Sequence, residues 1–591
     1  MPSTTSPSPW LRQYGALKEY QWRLTTDKPN NTTQVFTRPL GLAESSFDSD
    51  GRYYEGRADM NVLLTLEIKS HLSDEDFRER ILLAWTRLRG LHTLLQARTF
   101  QKREEGFAPD GRFFAVDVHG SVGKAIEDAG KRLVFVGDHY PAGVEVEDFY
   151  RHVMNVRRVV DAEVALAKVF VLPVEEDQGA DGRGTLKFLF VIGHQISDGL
   201  SSYVWMRDFV RILNEETDVL RERLKASLQP DDMLRRLPLP QEALYPPIPG
   251  SPARQRWFWA ITQILRHVRK PLPIGFDNPL KRTHPRKEAI PLSPTYNRIL
   301  DYTLPPLLNT YPLFVHISAQ NTTRLHHLCK SVHASLGAGI YALAAAVAIE
   351  LHEQRHPHIP LAHRQAFITA FPLNPRAFFN HHNDPDSMML AFSDGVALPF
   401  LSASLPLAGR IKLLARQAQR QLASYQKRAK PQGHDAARQY LTSRGAGLVL
   451  ANQYLLSLER ANANLPPDLR KEVNLQGMYP ARPNPTMQTH GVSSVGNREA
   501  LISSGIGDLE DARKDFVVDF RDLTASVRPR EGEFLVGIGG TREGLFCTPS
   551  MDANALDPVW IERWKGRFEG ALDEVGDGED SGGSGNSQAK L

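Results

Sequence analysis

Cysteine is almost missing from this chain: 591 residues contain two, Cys329 and Cys547. Two thiols cannot build a disulfide framework, and neither sits in a CxxC pair or a Cys/His cluster with metal-ligand spacing. A reducing compartment is the setting this predicts. Net charge is nearly absent too, since 71 Lys and Arg face 68 Asp and Glu for a balance of +3. No chain-wide basic field exists for DNA or RNA, and no nucleic-acid partner is expected. The N-terminus lacks a basic stretch followed by an apolar one, so no secretory signal is expected. No internal repeat is found. One uncharged run, residues 334–349, invites a membrane reading, but its sixteen residues fall short of the roughly 20 a bilayer requires. Its Ala, Gly and Ser content predicts a buried helix packed closely against a sheet.

Several catalytic signatures are missing as well. Around Gly120 and Lys124 a phosphate loop lacks its first glycine and the Ser/Thr after lysine. The glycines from Gly537 to Gly544 have the wrong spacing for a dinucleotide loop, and the stretch from Gly491 to Gly496 is one residue too long for a GxSxG elbow. HExxH does occur, at His352, Glu353 and His356. Pro357 would end the helix directly after the second His, Arg355 stands where zinc proteases carry an uncharged residue, and no Glu follows Glu353 until Glu459. These residues read as the polar end of the Ala-rich helix, and no metal site is expected.

What is present is a folded chain, 41% hydrophobic and 24% charged, too long for a single core. Residues 230–312 hold 16 of the 40 prolines, so 229–312 reads as a connection. The expected organisation is a flexible stretch at 1–19, a half at 20–228, that connection, a half at 313–575, and a tail at 576–591. In the first half, strands are expected at 61–68, 112–118, 164–172 and 185–192, with an amphipathic helix over 74–95. The second half reads as a strand at 313–318, the Ala-rich helix, a strand at 365–373 and a helix over 407–428. A hairpin follows, with strands at 533–538 and 545–549 and a turn at 541–544, then a closing helix over 558–575. Strands and helices mix in both halves, so the fold class is α/β (α+β) in layers.

The most informative segment is 188–202. A strand ends at Gly193, His194 and Asp198 stand four apart, and Gly199 opens a helix. A bare HxxxD is weak, and a second occurs at His382 and Asp386. The glycine and the strand-before, helix-after context sharpen the first. A histidine thrust out at a strand end can act as general base on a hydroxyl, an aspartate one turn on can fix local geometry, and glycine permits a tight turn. The alternative is a surface-loop histidine beside a helix-capping aspartate.

This pattern resembles the HxxxDG motif of the CoA-dependent acyltransferase superfamily, which takes in chloramphenicol acetyltransferase, the BAHD enzymes, condensation domains and fungal O-acyltransferases. The resemblance implies two similar α/β halves with an active-site tunnel at their interface. It implies His194 as general base, Asp198 as a structural, orienting residue and Gly199 as the motif turn. Phe371 to Arg376 resembles the family's strand-end segment, making Arg376 a structural or CoA-side candidate. Ser493 to Gly496 resembles the segment near the thioester, making Ser493, Ser494 and Gly496 candidates for the oxyanion and acyl-CoA. The plant DFGWG motif is absent, since residues 515–519 do not match it, which leaves the fungal branch. That branch is similar to trichothecene 15-O-acetyltransferase and mannosylerythritol lipid acyltransferases. The implied activity is acyl transfer, medium-chain or acetyl, from acyl-CoA as co-substrate to a hydroxyl of a small specialised metabolite or glycolipid, with no bound cofactor. Condensation-like chemistry with a carrier-bound donor and a catalytically silent binding protein are the alternatives.

Two features lie outside that core. Residues 254–270 form a basic, aromatic helix candidate with Trp257, Ile261, Ile264, Leu265 and Val268 on one side, suited to a membrane surface or to packing on its own protein. Ala589, Lys590 and Leu591 end the chain in a conservative variant of the S-K-L peroxisomal signal. A peroxisomal import receptor is the partner this implies, with a cytoplasmic location otherwise. A monomer is expected.

Overall fold

A computed structural model describes residues 9–26, 34–102, 111–177, 182–268, 272–310, 312–379, 384–393, 395–425, 446–470 and 488–576. The Ala589–Leu591 ending lies outside them.

Two sheets organise the molecule. The strand Met60–Ser70 alternates buried and partly exposed side chains, as a sheet with one covered face requires. It pairs antiparallel with Arg183–Ile192, which pairs in turn with Ala167–Val171, and Leu133–Phe135 closes that edge in parallel. The amphipathic helix Asp74–Leu91 packs over the face with Ile81, Trp85 and Leu88. It ends four residues before the sequence reading, because Thr93–Gln96 tightens into a 3-10 turn. The second sheet runs Val315–Ser318, Gly544–Met551, Phe534–Thr541 and Gly491–Asn497, the last pair parallel. The expected hairpin is the Phe534–Thr541 and Gly544–Met551 pair. The strand expected at 365–373 is broken into Phe367–Thr369 and Pro372–Leu373, which pair with different partners.

The halves are not separate in space. Phe516–Val527, from the second half of the sequence, pairs antiparallel with Met60–Ser70 and forms the edge of the first sheet. Phe516, Val518 and Leu523 thereby enter the first core with Trp85, Phe188 and Phe190. Asn214, just past the motif helix, donates to the Val518 carbonyl at 2.8 Å and accepts from its amide at 3.0 Å. A sequence boundary at 312 therefore does not coincide with a sheet boundary. The proline-rich connection is anchored as well: Phe276 and Leu280 join the second core, while Tyr296 and Leu300 join a cluster with Phe149 and Val153.

The uncharged run is the centre of the second core. Leu336–Arg355 is the one helix among the described residues long and apolar enough to cross a membrane, and 78% of its most apolar window is buried inside the protein. Small residues let neighbours approach it closely: a Cβ on Gly339 would collide with the Cys329 sulfur. At its end His352 is buried, its Nδ1 is 2.8 Å from Arg364 Nη1, and Glu353 accepts from the Ala403 amide at 2.7 Å. Burial, His356 and Arg364 push the His352 pKa down to about 4.

Two glycines give opposite predictions. Gly339→Leu forces an overpacked helix crossing and should cost about 1–3 kcal/mol. Gly409→Ala, in the helix Leu407–Leu422 with open space around it, should gain roughly 0.5–1 kcal/mol. Urea denaturation of both variants checks the pair.

Candidate active site

The strand Arg183–Ile192 runs buried to its end, and Gly193 to Asp198 carries the chain off its edge before the helix Gly199–Leu213 begins. His194 sits in that step, half-buried. Its ring stacks on Phe47 with centroids 4.0 Å apart and planes within 7°. Nδ1 is buried and finds no hydrogen bond of good geometry among the described residues, so Nε2 is the nitrogen left to face a ligand. Burial lowers the His194 pKa and the charge of Arg530 lowers it further, while its own main chain and Asp198 oppose the shift. The imidazole is therefore neutral at neutral pH and able to accept a proton.

Asp198 caps the helix and ties it to the second lobe. One oxygen, Oδ1, accepts from the amides of Leu200 at 3.1 Å and Ser201 at 2.9 Å, and the Asp198 amide donates to Ser201 Oγ at 2.8 Å. The other, Oδ2, accepts from Arg376 Nη2 at 2.7 Å and from the Met389 amide at 2.9 Å. Arg376 also donates to the Ser387 carbonyl, so its guanidinium is held between the motif and the segment 384–390. That segment grips the motif helix again. Asp386 accepts from Trp205 Nε1 at 3.1 Å, and Asp384 accepts from Arg207 at 2.8 Å. Asp386 thus serves packing in the second HxxxD, and His382 lies outside the described residues.

His194 opens into a cavity of about 920 Å³ lined by both sheets. Phe47, Met60, Gly199 and Tyr203 come from the first lobe, and Ser493, Phe371 and Phe546 from the second. The crossover strand contributes Asp522 and Thr524 to the same wall. Sequence reasoning had Ser493, Ser494 and Gly496 together, but a strand sends alternate side chains to opposite faces. Ser493 lines the cavity, whereas Ser494 is exposed and accepts from the Gly496 amide at 3.2 Å. The strand shifts register between Ser494 and Gly496, and Gly496 has φ +76°. Ser494 and Gly496 are thereby removed from the list of cavity groups. Gly199 is also corrected, because its φ is not positive. It is the first residue of the motif helix, and a Cβ there would meet Val495 at 3.4 Å, an ordinary contact distance. Arg376 is directed to Asp198 and does not line the cavity.

Sequence reasoning missed the floor under His194. The helix Leu42–Tyr53 is buried along most of its length although its sequence is rich in Ser, Asp and Glu. Five charged pairs in and around it, among the described residues, make that burial tolerable, Arg57 donating to Asp50 at 2.6 Å in one of them. Arg38 grips Glu44 with two bonds of 2.7 Å, and Arg112 meets Asp48 at 3.0 Å. Arg530 meets Asp50 at 2.8 Å, and Arg158 holds Asp59 at 2.7 Å. Gln195, next to the candidate base, donates to Asp48 at 3.3 Å. A second cavity imidazole, His490, is fully enclosed, and burial lowers its pKa to about 4.

A histidine at a strand end, its neighbouring aspartate locked to a second lobe, and a cavity between two sheets make up a fold shared with solved structures of an acetyltransferase and of condensation domains. Trichothecene 15-O-acetyltransferase from Fusarium sporotrichioides shares this fold with a TM-score of 0.60 at 12% identity, over 94% of this chain and 98% of that one. The starter condensation domain of rhizomide synthetase, solved as a complex with C8-CoA, gives 0.50 at 11% identity over 91% and 94%. No family model and no curated protein sequence matches the chain.

Breaking the ion pair should destabilise the protein. Arg376→Met strands a buried carboxylate, and a loss of about 3–5 kcal/mol is expected in urea denaturation. Combining it with Asp198→Asn should recover part of that loss, since the neutral amide removes the stranded charge.

Proposed function

We propose that this protein is an acyl-CoA-dependent O-acyltransferase in which His194 acts as general base. The observation that carries the reading is a neutral imidazole, stacked on Phe47 and half-buried at the junction of two lobes, facing a cavity of about 920 Å³. His194 Nε2 takes the proton of an acceptor hydroxyl as its oxygen attacks the thioester carbonyl. The tetrahedral oxyanion collapses, the C–S bond breaks, and the imidazolium returns its proton to the departing thiolate. Ser493 Oγ and nearby main-chain amides are the donors proposed for the oxyanion. Asp198 and Arg376 hold the base-bearing loop and take no proton.

The cavity wall mixes aromatic and aliphatic side chains with hydroxyls and charged groups, Arg498, Asp522 and Arg530 among them, and in this reading the apolar part takes an acyl chain and the polar part a polyol or terpenoid acceptor. An acetyl or medium-chain donor, a specialised-metabolite or glycolipid acceptor, and kinship with the fungal O-acyltransferases belong to this reading. Import into peroxisomes through Ala589, Lys590 and Leu591 belongs to it too, because that compartment shortens acyl-CoAs.

The test is thiol release from acetyl-, hexanoyl-, decanoyl- and palmitoyl-CoA with a panel of alcohols. His194→Ala should lower turnover about 100- to 10,000-fold, and undiminished turnover would sink the mechanism. Activity with a carrier-bound donor and none with any CoA would favour condensation chemistry instead. The pH profile gives an independent check. Because burial depresses the His194 pKa, kcat/KM should be level through neutrality and fall only below pH 6.5, the ordinary imidazole value. An acid limb centred above 6.5 contradicts a buried neutral base.

A further inference from the structure

The helix Pro252–Val268 packs on the protein by one side only. Trp259 and Thr262 are buried, and Arg266 reaches Glu459 at 2.8 Å and the Asn452 carbonyl at 3.2 Å. Trp259 stands edge-on to Tyr14 at 4.9 Å in an aromatic cluster with Tyr245 and Tyr454. The opposite side carries Trp257 at 67% exposure, Ile264 at 47%, Leu265 at 50% and Val268 at 64%. Ile261 falls between them, half-buried. Their i, i+3, i+4 and i+7 spacing makes one continuous apolar face. Scattered exposed apolar residues need no explanation, but four large ones on a single helix face do.

Charge decides what covers it. From Ala243 to Phe276 the sequence contains no Asp or Glu, while Arg254, Arg256, Arg266, Arg269 and Lys270 fall within it. Arg254 and Arg256 are exposed and make no ion pair among the described residues. A chain with a balance of +3 overall thus sets two exposed arginines, with no acidic residue near them in sequence, beside one apolar helix face. A second copy of this chain would bring the same arginines against each other with no acidic residue from either helix to offset them. An anionic surface that also accepts hydrocarbon satisfies both properties at once.

We propose that Pro252–Val268 docks this protein on anionic lipid membranes, lying in the interface plane with Trp257, Ile264, Leu265 and Val268 in the acyl boundary and Arg254 and Arg256 among the headgroups. The proposal stands independently of the acyl-transfer reading, since none of these residues lines the cavity.

Co-sedimentation of the full chain with phosphatidylcholine vesicles, with and without phosphatidylserine, tests it. Binding is expected only with phosphatidylserine and should weaken as salt rises. Trp257→Ser, Ile264→Ser, Leu265→Ser and Val268→Ser combined should weaken it on the order of tenfold or more. Arg254→Glu with Arg256→Glu should weaken it separately, and both variants should keep the wild-type melting temperature because every altered side chain is exposed. Wild-type protein that pellets no better with phosphatidylserine than without, or a serine variant that binds as tightly, overturns the proposal. Concentration-dependent dimerisation abolished by the serine variant, without vesicle binding, assigns the face to a second copy and overturns it too.

Discussion

The buried pair between Asp198 and Arg376 is the contact on which the site depends. Neither side chain is more than a tenth exposed, and the residues stand on different lobes, 178 positions apart. A pair this deep contributes little net stability, because desolvating both charges offsets most of their attraction. Its value is geometric. Asp198 fills both lone-pair directions of Oδ2 with groups from the second lobe and points Oδ1 at the first turn of the motif helix. A shift between the lobes would leave a buried carboxylate without its partners. The interface position and the course of the chain after His194 are therefore set together.

The candidate base is held by different means. Histidines that catalyse are often oriented by a hydrogen bond at the ring nitrogen away from the substrate. Here the flat contact with Phe47 fixes the ring plane, beside main-chain interactions with His194 and Ser197. The arrangement favours the neutral ring twice over, through desolvation and through the Arg530 guanidinium. Arg530 is itself bound to Asp50, on the same helix as Phe47. The buried salt links of Leu42–Tyr53 thus place the aromatic platform and a nearby positive charge in one stroke.

Legibility in the sequence followed from how local the determinants were. The strands at 60–70 and 183–192, the Ala-rich helix and the hairpin near 540 carry their own hydrophobic periods, so a window of ten residues suffices to find them. His194 was legible because strand end, histidine, aspartate and glycine are contiguous. Leu42–Tyr53 was not, since its Ser and Asp residues read as a polar loop until arginines from distant strands neutralise them. Phe516–Val527 was missed for a related reason. Apolar residues at its start mark a strand, but nothing local says that it leaves its own half to pair with Met60–Ser70. The Ser493/Ser494 ambiguity needed only the parity of one strand, which a motif comparison does not contain.

The crossover strand explains why such a fold keeps its site as one piece. Sheet edges expose unpaired main-chain groups, and here the edge of the first sheet is supplied by the second half of the chain. Removing that half would uncover Met60–Ser70 along its length and strip Phe516, Val518 and Leu523 from the first core. The same strand supplies Asp522 and Thr524 to the cavity and continues into Arg528, which donates to the Val153 carbonyl at 2.8 Å. Strand pairing, core closure and cavity wall are thus three consequences of one segment. Loosening between the lobes at the Arg376 side would strain against this second tie. The lobes cannot part without breaking the pairing of Phe516–Val527 with Met60–Ser70.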